Sequence, residues 1–257
     1  MAGRARPRLR VVHRRLLVKA ARDVTAAAAR RRALVLAPHA DDETLGAGAT
    51  IARKVAAGTP VRVVVAADGD DAVRRAECVE ACRRLGVGAD AVTFLGLPDG
   101  RLAEHEATLR EHIRSVAREF APDDVIGPCA IDVHPDHQAL ARAIRALRTS
   151  ALRGTEVLSY PVWYWNRWAW TDRRHTRAVQ IMQLLGRPAM HALTTRTRVV
   201  RTDEYLDVKR HALAAHRSQV DSSWGDPERR VLDSAWLTMF LGSEELFFLE
   251  SRADADA

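Results

Sequence analysis

Five short apolar runs, separated by stretches of helical period, constrain this chain of 257 residues more than any other feature. The runs are ALVLA (33–37), VRVVVAA (61–67), AVTFLGL (91–97), DVIGP (124–128) and EVLSYPVW (156–163). Each is short for a buried helix and too continuously apolar for a strand with one wet face. The segments between them, DETLGAGATIARKVAAG (42–58), RRAECVEACRRLGV (74–87), HEATLREHIRSVAREF (105–120) and HQALARAIRALRTSA (137–151), read as helices. In the first of these Leu45, Ile51 and Val55 recur at helical spacing and Gly58 supplies the stop. Strands alternating with helices make βαβ units, so the expected fold class is α/β, a Rossmann-like, mostly parallel sheet with helices on both faces.

Charge divides the chain. Residues 1–32 hold eleven Lys or Arg and a single acid, Asp23, a surplus of ten; against +7 for the whole chain, residues 33–257 stand near −3. The expected organisation is a basic N-terminal arm or helix over 1–32 and one domain over 33–257. With the basicity confined to the arm, the body is not expected to bind nucleic acid. A basic helix suits an anionic lipid surface, so peripheral membrane contact through residues 1–32 is the partner to test. No apolar run reaches the about eighteen residues a span requires, and an integral membrane protein is not expected. Three cysteines, an odd number, point to reduced thiols and a cytoplasmic setting. Nothing in the sequence sets an oligomeric state.

The first strand runs into PHADDETLGAG (38–48), and the strand DVIGP leads to DVHPDH (132–137). Open α/β sheets bind ligands beyond the C-terminal ends of their strands, so both clusters belong on one rim. One His and one Asp from the first loop with one His from the second form the three-ligand N/O set of a catalytic zinc with a position left for water. Neighbouring aspartates point different ways, which allows one to ligate while the other acts as general base. Gly46 and Gly48 lack the third glycine of a dinucleotide fingerprint, because position 51 is Ile. The competing reading, in which these polar residues merely cap a helix, has to explain two clusters after two different strands.

PHADDETLGAG followed about ninety residues later by HPDH resembles the PIG-L/LmbE family of metal-dependent N-acetylglucosaminyl deacetylases, whose usual first motif is P-H-P-D-D-E. The resemblance continues through RRAECVEACRRLGV, FLGLPDG and KRHALAAHRSQ (209–219) to EELF (244–247), with Ala40 standing where the motif has proline. It implies an LmbE-like three-layer sandwich in which His39, Asp42 and His137 ligate zinc, Asp41 is the general base and His134 stabilises the oxyanion as a cation or helps protonate the leaving amine. Arg74 and Asp99 match positions associated with substrate. Zn²⁺ is the cofactor implied, and a His₂Asp set also accepts Fe²⁺ or Co²⁺.

The activity implied is hydrolysis of the N-acetyl group of an N-acetylated amino sugar, releasing acetate. Two alternatives stand beside it, an amidase acting on a thiol conjugate and a carbohydrate-binding relative without catalysis. YPVWYWNRWAW (160–170) holds six of the fourteen aromatics, and Trp163 and Trp165 are its candidates for stacking on a sugar, against a core or interface role.

Overall fold

The computed structural model describes residues 6–172, 174–220 and 234–250. Eight strands form one sheet: β1 (Arg22–Asp23), β2 (Ala33–Ala37), β3 (Val61–Ala67), β4 (Val92–Leu97), β5 (Asp124–Pro128), β6 (Glu156–Tyr160), β7 (Thr197–Arg201) and β8 (Glu244–Leu249). Their spatial order is β1-β7-β8-β6-β5-β2-β3-β4, parallel throughout except for β8, which runs antiparallel to β6 and β7. The mostly parallel α/β sheet read from the sequence is thus the one observed.

The helices are α1 (Arg6–Ala20), α2 (Thr25–Ala28), α3 (Asp42–Ala56), α4 (Ala72–Arg84), α5 (Glu106–Phe120), α6 (Pro135–Leu147), α7 (Arg177–Thr194) and α8 (Leu206–Leu213), with shorter turns beyond. Side chains of β2 alternate between two apolar layers. Ala33, Val35 and Ala37 meet residues of α3, α4 and α8, whereas Leu34 and Leu36 meet those of α5 and α6. All five residues are buried, which is why the run reads as unbroken hydrophobicity.

After β2 the chain moves outward to β3 and β4, then returns to lay β5 on the other side of β2. The order reverses between β2 and β5, and such a reversal is where open α/β sheets form their ligand crevice, beyond the C-terminal ends of the strands. PHADDE and HPDH are the two loops at that point.

The two glycines of PHADDETLGAG serve packing. A Cβ on Gly46 would collide with the ring of Tyr160, which is buried and donates its hydroxyl to the Leu36 carbonyl at 2.9 Å. One on Gly48 would press on Lys209 Cγ at 3.1 Å. Gly46→Ala is therefore expected to cost about 1–3 kcal/mol by overpacking, read as a lower midpoint in urea with unchanged slope.

Of residues 1–32, expected as a basic arm or helix, the described ones form α1, β1 and α2 and pack against the sheet. Leu17 is fully buried, β1 pairs in parallel with β7, and Arg14 Nη1 lies 3.5 Å from Glu244 Oε2. The strand expected over 156–163 ends at Tyr160, because Pro161 has no N–H to continue the ladder. The chain then forms short 3₁₀ turns over Trp163–Trp165 and Arg167–Ala169.

Candidate metal centre and active site

α3 starts directly after β2, and the four residues between them make a turn tight enough to put Asp41 at φ 146° and ψ −26°. That backbone is strained for a residue with a Cβ and costs on the order of 1–3 kcal/mol. The Asp41 side chain makes no capping hydrogen bond, so the capping explanation of the doubled aspartate fails at the position where it was strongest. The turn is held from outside: Glu43 Oε2 accepts the Asp41 N–H at 3.0 Å, and Asp42 Oδ2 accepts the His39 N–H at 3.0 Å. Glu43 is itself fully buried, takes the Thr44 hydroxyl at 2.7 Å and lies 3.2 Å from His216 Nε2.

Across the crevice, His134 caps α6 by accepting the Asp136 N–H at its Nδ1, 3.3 Å away, and one turn of helix brings His137 inward. His39, His134 and His137 each present a ring nitrogen within 4.8 Å of the others. Asp42 Oδ2 lies 3.3 Å from His39 Nδ1 and 3.2 Å from His137 Nε2. Both nitrogens of His137 are buried without a hydrogen bond, although Asp132 Oδ2 stands 3.1 Å from Nδ1. Ligands about 2.1 Å from a tetrahedral metal are about 3.4 Å apart, close to the two separations seen here. The orphaned His137 nitrogen, the carboxylate between two imidazoles and the mixed N/O chemistry all fit a divalent metal at His39, Asp42 and His137.

Carboxylates orient these rings from behind. His39 Nε2 lies 3.0 Å from Asp136 Oδ2 and 3.2 Å from Asp99 Oδ1, leaving Nδ1 to face Asp42. Asp136 is fixed in turn by the N–H groups of Gly100 at 2.7 Å and Leu102 at 3.0 Å. Asp132 Oδ2 accepts the Trp163 N–H at 2.9 Å.

The charges separate by role. Burial would lower the pKa of His39, but Asp136, Asp42 and Asp99 outweigh it and hold the ring well above its ordinary range. In His137, burial is likewise overcome by Asp42 and Asp132, which raise it to about 9. Asp42 goes the other way: burial opposes its charge, and His137 and His39 still bring it well below the usual carboxylate range. Asp41 is pushed up to about 7, first by burial and then by the charge of Asp42, with Arg74 and His216 opposing. Two adjacent carboxylates thus differ by environment, one held as an anion and the other near neutrality as a proton acceptor needs. His134 was expected as a cation; burial, His39 and His137 lower its pKa, and its Nδ1 already accepts a backbone N–H. These favour the neutral ring, with Nε2–H as donor.

Arg74, at the start of α4, places Nη1 3.4 Å from Asp99 Oδ2 and Nη2 3.5 Å from the Ala40 carbonyl, so both expected substrate residues stand at the rim beside His39. Trp163 is half-buried against Trp236, ring centroids 5.1 Å apart. Trp165, expected at a sugar face, is a core side chain: 4% exposed, with its indole N–H donated to the Pro161 carbonyl at 3.1 Å. Glu43 was given no role by the sequence reading, because a third acid after two aspartates looks redundant. The signal available was the pairing of DDE with the downstream AAHRSQ, whose His216 it meets.

The chain is similar to several known proteins. The family described as PIG-L: GlcNAc-PI de-N-acetylase matches residues 34–147. The 1D-myo-inositol 2-acetamido-2-deoxy-alpha-D-glucopyranoside deacetylase of Nocardia farcinica is 30% identical over 243 residues, spanning 73% of this chain and 80% of that one. The probable N-acetyl-alpha-D-glucosaminyl L-malate deacetylase 2 of Bacillus cereus is 26% identical over 229 residues, 78% and 89% of the two chains. Among solved structures, the A40926 pseudoaglycone deacetylase Dbv21 superposes with a TM-score of 0.61 at 20% identity, covering 87% of this chain and 98% of its own.

Proposed function

The chain belongs to the PIG-L family, and on that premise we propose that it is a metal-dependent hydrolase removing the N-acetyl group from an N-acetylated, GlcNAc-type amino sugar. One observation carries the reading: a strained, uncapped and buried Asp41 stands beside a His39–Asp42–His137 donor set whose His137 nitrogens lack hydrogen-bonded partners. A divalent metal at those donors, zinc being the first candidate, would polarise an amide carbonyl and lower the pKa of a water toward about 7.

Within the chain, Asp41 takes a proton from the attacking water and returns it to the amine nitrogen as the C–N bond breaks, so that acetate and a free amine leave. His134, fixed through Nδ1, offers Nε2–H to the oxygen on which negative charge develops. Asp132 and Asp136 hold His137 and His39 in orientation, and Arg74 with Asp99 are placed to bind sugar hydroxyls. The two relatives named above act, by their names, on N-acetylglucosaminyl compounds, which supports this substrate class. The three cysteines are buried free thiols, in keeping with a reducing, cytoplasmic setting.

The test is metal content together with acetate release from a panel of N-acetylglucosaminyl compounds. Stoichiometric metal, with acetate released from at least one compound, lost on chelation and restored by metal, is the expected result. Metal bound with no acetate from the whole panel would move the site to another amide; no metal under replete conditions would sink the centre.

A further inference from the structure

α7 is a helix of eighteen residues, and Pro188 alone among its described side chains is buried. Ile181, Met182, Leu185, Met190 and Leu193 are between 52% and 83% exposed. Of these, Ile181 and Leu185 stand one turn apart on the same side of the helix, and an exposed apolar face calls for a cover. α1 lies alongside it, and the two helices flank an open groove of about 310 Å³ into which Val12, Leu16, Ile181 and Leu185 project. The pair is clamped from below, since the Tyr164 hydroxyl lies 3.2 Å from His13 Nε2 on α1 and 3.0 Å from His191 Nδ1 on α7. The face is therefore a preformed platform.

The charges around it select the occupant. Among the described residues, 6–22 carry seven Lys or Arg and no acid, and 174–202 carry six Arg and no acid. Arg14, Arg174 and Arg201 are paired with Glu244, Asp172 and Asp23 within the chain, but cations still outnumber acids on both segments, so a second copy docked face to face would set a net-positive surface against its like. An anionic bilayer supplies the apolar medium and the opposite charge together, and an apolar helix flanked by cations is suited to lie at its surface. No helix among the described residues is long and apolar enough to cross a membrane, so α7, about 27 Å long, would lie in the plane.

We propose that α1 and α7 form one docking face for an anionic lipid bilayer, with the exposed side chains of Val12, Leu16, Ile181 and Leu185 entering its interface. The inference stands apart from the hydrolase reading. Trp165 and Trp170 border the groove, and Trp163, two residues before Trp165, donates its N–H to Asp132 at the candidate active site, so the face and the rim share one segment.

The experiment is co-sedimentation of the full chain with vesicles of phosphatidylcholine alone and with about 40% phosphatidylglycerol added, at low and high salt. Binding is expected to the anionic vesicles, to weaken with salt, and to fall at least about tenfold in Ile181→Ser/Leu185→Ser with far-UV circular dichroism unchanged. A second reading uses Leu185→Cys carrying an environment-sensitive fluorophore, which labels selectively because the native thiols are buried; its emission should shift to the blue on anionic vesicles. Equal binding by the native and double-substituted proteins overturns the proposal, as does a label that does not shift. A native protein that ignores vesicles but forms a dimer dispersed by the same substitutions also overturns it, in favour of a second copy.

Discussion

Asp41→Asn is expected to lower kcat for acetate release by about 10²–10⁴, on the order of 3–5 kcal/mol of transition-state stabilisation, with metal content unchanged. The substitution keeps the shape of the side chain and removes its capacity to take a proton. It touches no donor of the proposed centre, which lies in His39, Asp42 and His137. The positive φ at this position is tolerated by Asn as readily as by Asp, and the Glu43 carboxylate that accepts the residue's N–H stays in place. The change also removes a buried carboxyl whose charge burial and Asp42 disfavour, so the fold has no reason to weaken. Catalysis needs Asp41 ionised, and activity in the native protein should therefore rise as pH climbs through its pKa. That pKa is about 7 without the metal and lower with a cation close by. Activity within tenfold of native would remove Asp41 from the role of base; loss of metal in the variant would assign it to the centre instead.

The half of the molecule that carries this chemistry was the half legible in the sequence. β2, β3 and β5 are buried on both faces or nearly so, and their composition follows from that directly. Charged residues gathered after two such strands have few places to be except a common rim, and the reversal of strand order between β2 and β5 provides it. What escaped depends on contacts distant in sequence. β7, TRVVR, has arginines at its second and fifth positions and resembles a surface segment, and β8 opens on two glutamates; their pairing is visible only once the sheet is assembled. Trp163 and Trp165 are two residues apart and look equivalent as letters, yet one is half-buried against Trp236 and the other lies inside the core. The charge of His134 is not legible from the letters beside it, because a histidine's pKa is set by its surroundings, here burial, His39 and His137, which lower it.

The second glutamate of β8 carries the largest stability effect expected in the fold. Glu245 is buried at 3% exposure, and its Oε1 lies 2.7 Å from the Nζ of Lys209, which has no exposed surface at all. The same carboxylate accepts the N–H of Ala49 at 2.8 Å and of Thr50 at 2.7 Å from the middle of α3, while Lys209 donates to the Leu45 carbonyl at 2.8 Å. The pair thus ties an antiparallel strand and α8 to the helix whose first turn holds Asp42 and Glu43. Burial lowers the Lys209 pKa and Glu245 opposes that fall, so the ammonium depends on its partner. Glu245→Gln keeps the shape, leaves a buried cation without a counter-ion, and should destabilise by about 3–5 kcal/mol, a large part of the 5–15 kcal/mol of a typical domain. Lys209→Met added to Glu245→Gln removes the stranded charge, so the double variant should be more stable than Glu245→Gln alone, a reversal that simple loss of packing would not produce. Chemical denaturation of Glu245→Gln, Lys209→Met, the double variant and the native protein closes the cycle. A Glu245→Gln cost under about 1 kcal/mol would show that the pair is not what holds β8 to α3.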